Sequence, residues 1–260
     1  MDIYDYSSLR TTRHILNYVA PVALGLSRLQ AVPAELFAGV RALRLNDVSI
    51  DIMAGPCICA PVALELCNIY EDDFAALLLD ARRLTHLRLE GMPDEASELV
   101  VRGAATLQAL EVDEGVIVPQ MPLPALRVLA LRDLQNLRAW LGAAPGVRHL
   151  FVCIPSEQTQ VAVTQGTGNL VIWDTDMMIE TVFDADTIAK GRALEVVTMV
   201  EYFGQGSDGS ERRWHDVVGS YRYGERDVEF RHMRIPMPTE LDSLFPSSLI
   251  DPDILDGKWA

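Results

Sequence analysis

The chain has 260 residues, a formal net charge of −15 and an apolar fraction of 49%. This balance argues against partners that are nucleic acids or anionic membrane surfaces, because both are bound through clusters of lysine and arginine. No apolar run approaches the ~18 residues of a membrane-spanning helix.

The four cysteines are too few and too scattered for the disulfide caps of secreted proteins. They predict free thiols and a cytoplasmic location. Residues 1–6 also favour this location, because they lack the basic and apolar regions of a secretory signal. Cys57 and Cys59 have no second cysteine or histidine pair at zinc spacing, so we expect no metal site there. The chain contains no phosphate-binding loop or catalytic triad pattern, and we assign no cofactor and no catalytic residue.

A ladder of apolar residues runs from about residue 22 to residue 154. Its segments follow the pattern apolar-x-x-Leu-x-apolar, which is typical of short strands, and its central leucine falls at positions 43, 64, 87, 110, 129 and 150. The steps between these positions are 21, 23, 23, 19 and 21 residues. A nearly constant period of this size predicts a solenoid of stacked coils.

The segments between the ladder strands differ in type. Helical turns are predicted after Asp72 or Asp73, which can cap a turn, and at residues 95–101, 134–141 and 184–193. Residues 118–124 carry three prolines and predict an extended or 3₁₀ return. The ladder becomes irregular at residues 170–172, 194–199 and 228–230, and residues 204–210 predict a flexible loop. We therefore divide the chain into a solenoid with its amino-terminal cap, 1–203, and a loop, last repeat and carboxy-terminal cap, 204–260.

Residues 29–46 resemble the convex turn and ascending strand of the leucine-rich repeat family. The family's asparagine, three positions after the last strand leucine, is replaced by Val48, Ile69, Met92, Gly115 and Leu134. The irregular period is similar to that of F-box-associated leucine-rich repeat proteins, although no clear F-box is present. The resemblance implies an α/β solenoid with a parallel concave sheet and mixed helical and extended convex returns.

In such strands the residues between the ladder leucines point to the concave face, and equivalent residues of neighbouring coils lie side by side. The central column begins with side chains of alternating charge, which predicts a self-neutralising ladder of solvated ion pairs: Arg44, Glu65, Arg88 and Glu111.

Further along the same face the columns become apolar. The columns predict an exposed apolar patch with Arg132 and His149 at its rim, and such patches are typical of protein-binding surfaces. The members of the patch are Ala130, Phe151, Cys153, Val171 and Trp173. Two alternatives stay open: the carboxy-terminal segment covers the patch, or the register slips after residue 154 and turns Trp173 inward.

The repeat resemblance implies a non-catalytic protein-interaction module that recognises a partner protein through its concave face, as a substrate-recognition or scaffold subunit. The alternative is an enzyme or small-ligand-binding protein with a site near the carboxy-terminal end of the solenoid. That site would use His149, Arg132, Trp173, Asp174 and Asp176. The sequence leaves the identity of the partner and the oligomeric state open.

Overall fold

The computed structural model describes residues 2–3, 23–51, 57–113, 115–132, 136–154, 163–174, 193–203 and 228–236. The chain forms two compact units, Met1–Leu126 and Arg127–Ala260. The division at residues 203 and 204 separates repeats from a cap rather than compact units, and it stays a prediction.

The amino-terminal unit is built on a parallel sheet whose neighbouring strands follow one another in sequence. In spatial order its strands are β1 (Asp2–Ile3), β2 (Ala23–Pro33), β3 (Ala42–Asp51), β5 (Ala63–Cys67), β7 (His86–Glu90) and β8 (Ala109–Val112). Two further short strands, β4 (Cys57–Cys59) and β6 (Leu77–Leu79), pair in parallel as a separate sheet. Both belong to the returns between the main strands.

The carboxy-terminal unit repeats the arrangement. Its parallel sheet contains β9 (Val128–Leu131), β10 (His149–Ile154), β11 (Asn169–Asp174), β12 (Val196–Phe203) and β13 (Glu229–Pro236), in that order. All the described strands of both units are parallel, and this is consistent with a leucine-rich-repeat-like solenoid.

The ladder leucines align from strand to strand and form the core. Leu43, Leu64, Leu87 and Leu110 lie opposite one another in the amino-terminal unit, as do Leu129, Leu150 and Leu170 in the carboxy-terminal unit, and all are buried. The predicted register is thus confirmed. It does not slip after residue 154, since Phe151 lies opposite Val171 and Cys153 opposite Trp173.

The described returns contain three short helices: α1 (Glu71–Ala76), α2 (Ser97–Gly103) and α3 (Leu137–Ala143). The helical predictions near residues 72, 95 and 134 are confirmed in type, although α1 ends where β6 begins and α2 is preceded by a 3₁₀ turn at Asp94–Ala96. Residues 118–124 form neither helix, 3₁₀ helix nor strand. Residues 184–192 and 204–210 lie outside the described residues. None of the described helices is long and apolar enough to cross a membrane.

Asp73 does not cap α1, contrary to the prediction. No side chain caps this helix. The buried carboxylate of Asp73 instead accepts a hydrogen bond of 2.6 Å from the backbone N–H of Ile50 in β3. A charge-assisted bond of this kind ties the return of one coil to the strand of the preceding coil.

In four successive coils a left-handed residue lies two positions after the last ladder leucine, inside β2 and β3 and directly after β5 and β7. These residues are Arg28, Asp47, Asn68 and Gly91, with φ between 52° and 57°. Each is followed by a buried apolar residue, namely Leu29, Val48, Ile69 and Met92. The left-handed bend turns the next side chain into the core, which explains why apolar residues occupy the position where the family has asparagine.

We predict that Leu87→Asp or Leu129→Asp unfolds the unit that contains it. Both leucines are buried, and an aspartate there would be a buried charge with no partner, which costs at least about 3 kcal/mol. Thermal unfolding followed by circular dichroism measures the effect. Gln108→Asp is the control, because Gln108 is exposed beside the ladder. Wild-type melting of both leucine variants would show that the core is wrongly placed.

A second prediction concerns the left-handed bends. Gly91 has a φ of 57°, and a Cβ at this position would collide with the carboxamide oxygen of Asn68. Gly91→Ala should therefore lower the free energy of unfolding by about 1–2 kcal/mol in urea titrations. Gly103→Ala is the matched control: Gly103 lies in α2, where a Cβ makes only ordinary contacts, so alanine should be neutral or stabilising. Equal effects would contradict the strained bend.

Candidate functional site

The alternating charges on the face between the ladder leucines form a connected cluster in the amino-terminal unit. Arg44, Glu65, Arg88 and Glu111 lie opposite one another on β3, β5, β7 and β8. Arg44 Nε is 3.3 Å from Glu65 Oε2, and Arg88 Nε is 3.5 Å from Glu111 Oε1. Arg88 Nη1 also donates to Glu65 Oε1. The predicted ladder of opposite charges is thus confirmed.

Arg88 is the centre of this cluster. Besides Glu65 and Glu111 it binds Glu90, whose Oε2 accepts a 2.5 Å hydrogen bond from Arg88 Nη2. Burial by itself lowers the pKa of Arg88, but the neighbouring acidic groups, with Glu111 the strongest, raise it above its usual value. Arg88 therefore stays charged and holds three carboxylates together.

The expectation that these pairs are all solvated is wrong. Side-chain exposure falls along the column, from 46% at Arg44 to 23% at Glu65, 10% at Arg88 and 2% at Glu111. Exposed ion pairs contribute about 0–1 kcal/mol, whereas a buried charge that loses its partner costs about 3–5 kcal/mol. The cluster thus has a buried anchor at Arg88 and Glu111 and an accessible end at Arg44.

Cys67 lies against the same cluster. Its Sγ is 3.9 Å from Glu65 Oε1 and 3.9 Å from Glu90 Oε2. Burial raises the pKa of the Cys67 thiol to about 12, and the opposing effect of Arg88 is smaller. A thiol that stays protonated at neutral pH is a poor nucleophile and a poor metal ligand.

The cysteine prediction holds where it can be compared with the structure. Cys59, Cys67 and Cys153 are buried thiols that form no disulfide. Cys59 donates from Sγ to the backbone carbonyl of Phe37 at 3.4 Å. The side chain of Cys57 lies outside the described residues, so its state stays a prediction.

The predicted apolar patch of the carboxy-terminal unit has the expected neighbours but not the expected exposure. Phe151 lies opposite Ala130 and Val171, as predicted, yet none of the three side chains has any exposed surface. The prediction of an exposed patch is therefore wrong at Phe151 and Val171. Both side chains are buried, because an apolar column of this size is more stable away from water. That these two residues bind a partner stays a prediction, although neither side chain is accessible from the surface.

The remaining residues of the predicted site are spread along the strands. Arg132 follows the end of β9, whereas His149 begins β10 and lies opposite Val128, the first residue of β9. Four residues of extended strand, about 13 Å, separate the two positions. The structure therefore does not bring Arg132 and His149 together. The strand position of Trp173 is fixed opposite Cys153 and Val200, while its side chain lies outside the described residues.

Two buried polar atoms lie on neighbouring strands near the start of β10. Within the described part of the chain, His149 Nδ1 and Asn169 Oδ1 have no hydrogen-bond partner, and the two residues lie opposite one another. Burial, and secondarily Arg148, lowers the pKa of His149, so its ring is neutral at pH 7. Sequence reasoning gave Asn169 no role.

No group of three or more histidine, cysteine, aspartate or glutamate side chains among the described residues could hold a metal ion. The side chain of Asp174, and Asp176 entirely, lie outside these residues.

Exposed apolar side chains occur instead on the returns of the amino-terminal unit, which sequence reasoning missed. The large ones are Ile58, Tyr70, Leu78, Val101, Ile117 and Met121. One signal in the sequence was available, namely the three consecutive leucines at 77–79. In an extended segment the middle side chain must point to the opposite side from its two neighbours.

Comparisons with known proteins give no relative: no family model, no curated protein and no solved structure matches the chain.

The burial of Arg88 generates a stability prediction. Arg88→Ala should lower the free energy of unfolding by about 3 kcal/mol or more, because it removes the buried guanidinium that faces the carboxylates of Glu65, Glu90 and the buried Glu111. Arg44→Ala, at the exposed end of the same column, should cost no more than about 0.5 kcal/mol. Urea denaturation measures both. If the double variant Arg88→Met/Glu111→Leu is no more stable than Arg88→Ala, the stranded carboxylate is not the cause.

Cys67 should be unreactive in the folded protein. Its pKa of about 12 leaves almost no thiolate at pH 8, so alkylation by iodoacetamide, followed by peptide mass spectrometry, should be at least about a hundredfold slower than in urea. Folding favours the protonated thiol, so the stability that Cys67 contributes is present below its unfolded pKa of about 8.5 and is lost as the pH rises toward 12. Fast alkylation of the native thiol at pH 8 would contradict this.

Proposed function

We propose that this chain is a non-catalytic protein-interaction module of the leucine-rich repeat type. Its binding surface is the concave face of the amino-terminal unit, the face that carries Arg44, Glu65 and Glu90. The observation that supports this most directly is the charged cluster. Its accessible side chains are held by a buried arginine, so little side-chain freedom is lost when a partner binds.

The charges of the cluster define the partner. Two guanidinium groups, Arg44 and Arg88, are surrounded by three carboxylates, so the cluster has a net charge of −1. The half-buried carboxylate of Asp113 follows β8, one strand beyond Glu90, and adds to the acidic excess. A partner segment that is basic overall, with an acidic group opposite Arg44, complements this surface.

The narrower role is that of a substrate-recognition or scaffold subunit, which binds one protein and presents it to another. The repeat resemblance supports this role. A rigid sheet with an ordered row of charged side chains suits recognition of an extended or irregular protein surface, whereas catalysis would need a convergent set of groups. The cluster contains no activated nucleophile, since its cysteine stays protonated.

The proposal is tested with the full chain as bait in its native cell, where crosslinked partners are quantified by mass spectrometry. Arg44→Glu and Glu90→Arg reverse charges at the accessible end of the cluster and should each reduce recovery of the specific partner at least about tenfold. Arg138→Glu makes the same charge change as Arg44→Glu, at an exposed position of α3 in the other unit. This control variant should leave recovery unchanged. Wild-type recovery with both cluster variants, in protein that melts normally, would refute the concave site.

A further inference from the structure

Two exposed arginines lie side by side where β9 and β10 begin in the carboxy-terminal unit. They are Arg127 and Arg148, and each directly precedes its strand. The backbone N–H of Arg148 donates to the backbone carbonyl of Arg127 at 2.8 Å, and the next residues, Val128 and His149, lie opposite one another. The spacing of neighbouring strands places the two arginine Cα atoms about 5 Å apart. We call these two residues the arginine pair.

The arginine pair lies in a basic segment of an acidic chain. Residues 127–154 contain four arginines and one acidic residue, whereas the whole chain has a net charge of −15. Like charges that lie opposite one another on adjacent strands destabilise a sheet. The fold therefore places two arginines where they repel each other, and an anion bound between them would remove this repulsion.

The position next to Arg148 on the side of β11 is a glycine. The backbone N–H of Gly168 donates to the carbonyl of Arg148 at 2.9 Å, and that of Glu195 donates to the carbonyl of Gly168 at 2.8 Å. On this side the carboxylate of Glu195 is thus two strand spacings from Arg148, about 10 Å between Cα atoms. Within the described part of the chain no carboxylate forms an ion pair with Arg148. Its guanidinium group is available for an external anion.

The charge of Arg148 acts on the neighbouring imidazole. Burial lowers the pKa of His149, and Arg148 lowers it further. The residues opposite His149 on the adjacent strands, Val128 and Asn169, do not ionise. An anion at the arginine pair would offset the effect of Arg148, so the pKa of His149 reports on binding there.

The geometry and charge of the arginine pair favour one class of anion. A guanidinium group can donate two parallel hydrogen bonds to an oxyanion. A carboxylate carries a single negative charge, whereas a phosphoryl group carries about −1.5 to −2 at pH 7 and three acceptor oxygens. One phosphoryl group can therefore bind both arginines at once. A polyanion such as nucleic acid is a poor ligand, since the net charge of −15 repels it outside the pair.

We propose that the arginine pair is a binding site for the dianionic phosphoryl group of a ligand. This group belongs either to a small phosphorylated molecule or to a phosphorylated side chain of another protein, and its contacts with the two guanidinium groups are the same in both cases. The site lies in the carboxy-terminal unit and is independent of the charged cluster that we propose for protein recognition.

The test uses the full chain and a fluorescein-labelled peptide with one phosphoserine among glycines and alanines. Fluorescence anisotropy should show saturable binding, at least about tenfold tighter than for the same peptide with serine or glutamate at that position. Arg127→Gln and Arg148→Gln should each weaken binding at least about tenfold, because each removes one of the two guanidinium groups. Arg138→Gln is the matched control: it removes an exposed arginine from α3 of the same unit and should leave the affinity unchanged.

A further variant keeps both arginines. Gly168→Asp puts a carboxylate beside Arg148, where it competes with the ligand, and it should weaken binding at least about tenfold, whereas Gly168→Ser should not. A Cβ at this position makes only ordinary contacts, the nearest at 3.5 Å from the backbone oxygen of Ala193, so both variants should keep the wild-type melting temperature. In NMR titrations the phosphopeptide should raise the pKa of His149 in the wild type but not in Arg148→Gln.

Competition with inorganic phosphate identifies the source of the phosphoryl group. Displacement of the peptide at phosphate concentrations near the Kd of the peptide indicates a small molecule, and displacement only at concentrations at least about a hundredfold higher indicates a protein segment. Four results would overturn the proposal: no saturable binding, equal affinity for the serine or glutamate peptide, unchanged affinity of Arg148→Gln, or an equal loss of affinity with Arg138→Gln. None of them bears on the concave site, which is judged by the Arg44→Glu and Glu90→Arg variants in cells.

Discussion

The alignment of ladder leucines between neighbouring parallel strands is the constraint on which the rest of the molecule depends. Leu64 lies opposite Leu43 and Leu87, and the same step repeats through each unit. A slip of one residue would turn every leucine of a strand out of the core, so the apolar free energy of the whole coil holds the register. In four coils the left-handed residue two positions after the last ladder leucine then turns the next side chain, which is apolar, into the core.

The same alignment determines what meets on the opposite face of the sheet. It places Arg88 between Glu65 and Glu111, and it places Phe151 against Val171. These two columns differ in consequence. The charged column is buried at one end and accessible at the other, so its exposed end is available for contact with another molecule. The apolar column is fully buried and contributes to stability instead. The strand face that stays polar and partly accessible is that of the amino-terminal unit, and this is the surface that we propose for recognition.

The returns form a second surface with different chemistry. Stacking of the coils brings Ile58 next to Leu78 and repeats a pair of carboxylates at the same distance before Leu78 and before Val101. Neither feature contributes much to the core, since these side chains are exposed. A stacked fold thus displays charged side chains at strand spacing on one face and exposed apolar side chains on its returns.

The period of the ladder, the register and the opposition of Arg44, Glu65, Arg88 and Glu111 were readable from the sequence, because strand alternation and a constant coil length are local and repetitive. Exposure was not readable. The burial of Arg88, Phe151 and Val171, the role of Asp73 as acceptor for Ile50 and the exposure of Leu78 were decided by the tertiary structure. How much of a side chain meets water depends on elements distant in sequence that pack against it, and no local pattern records them.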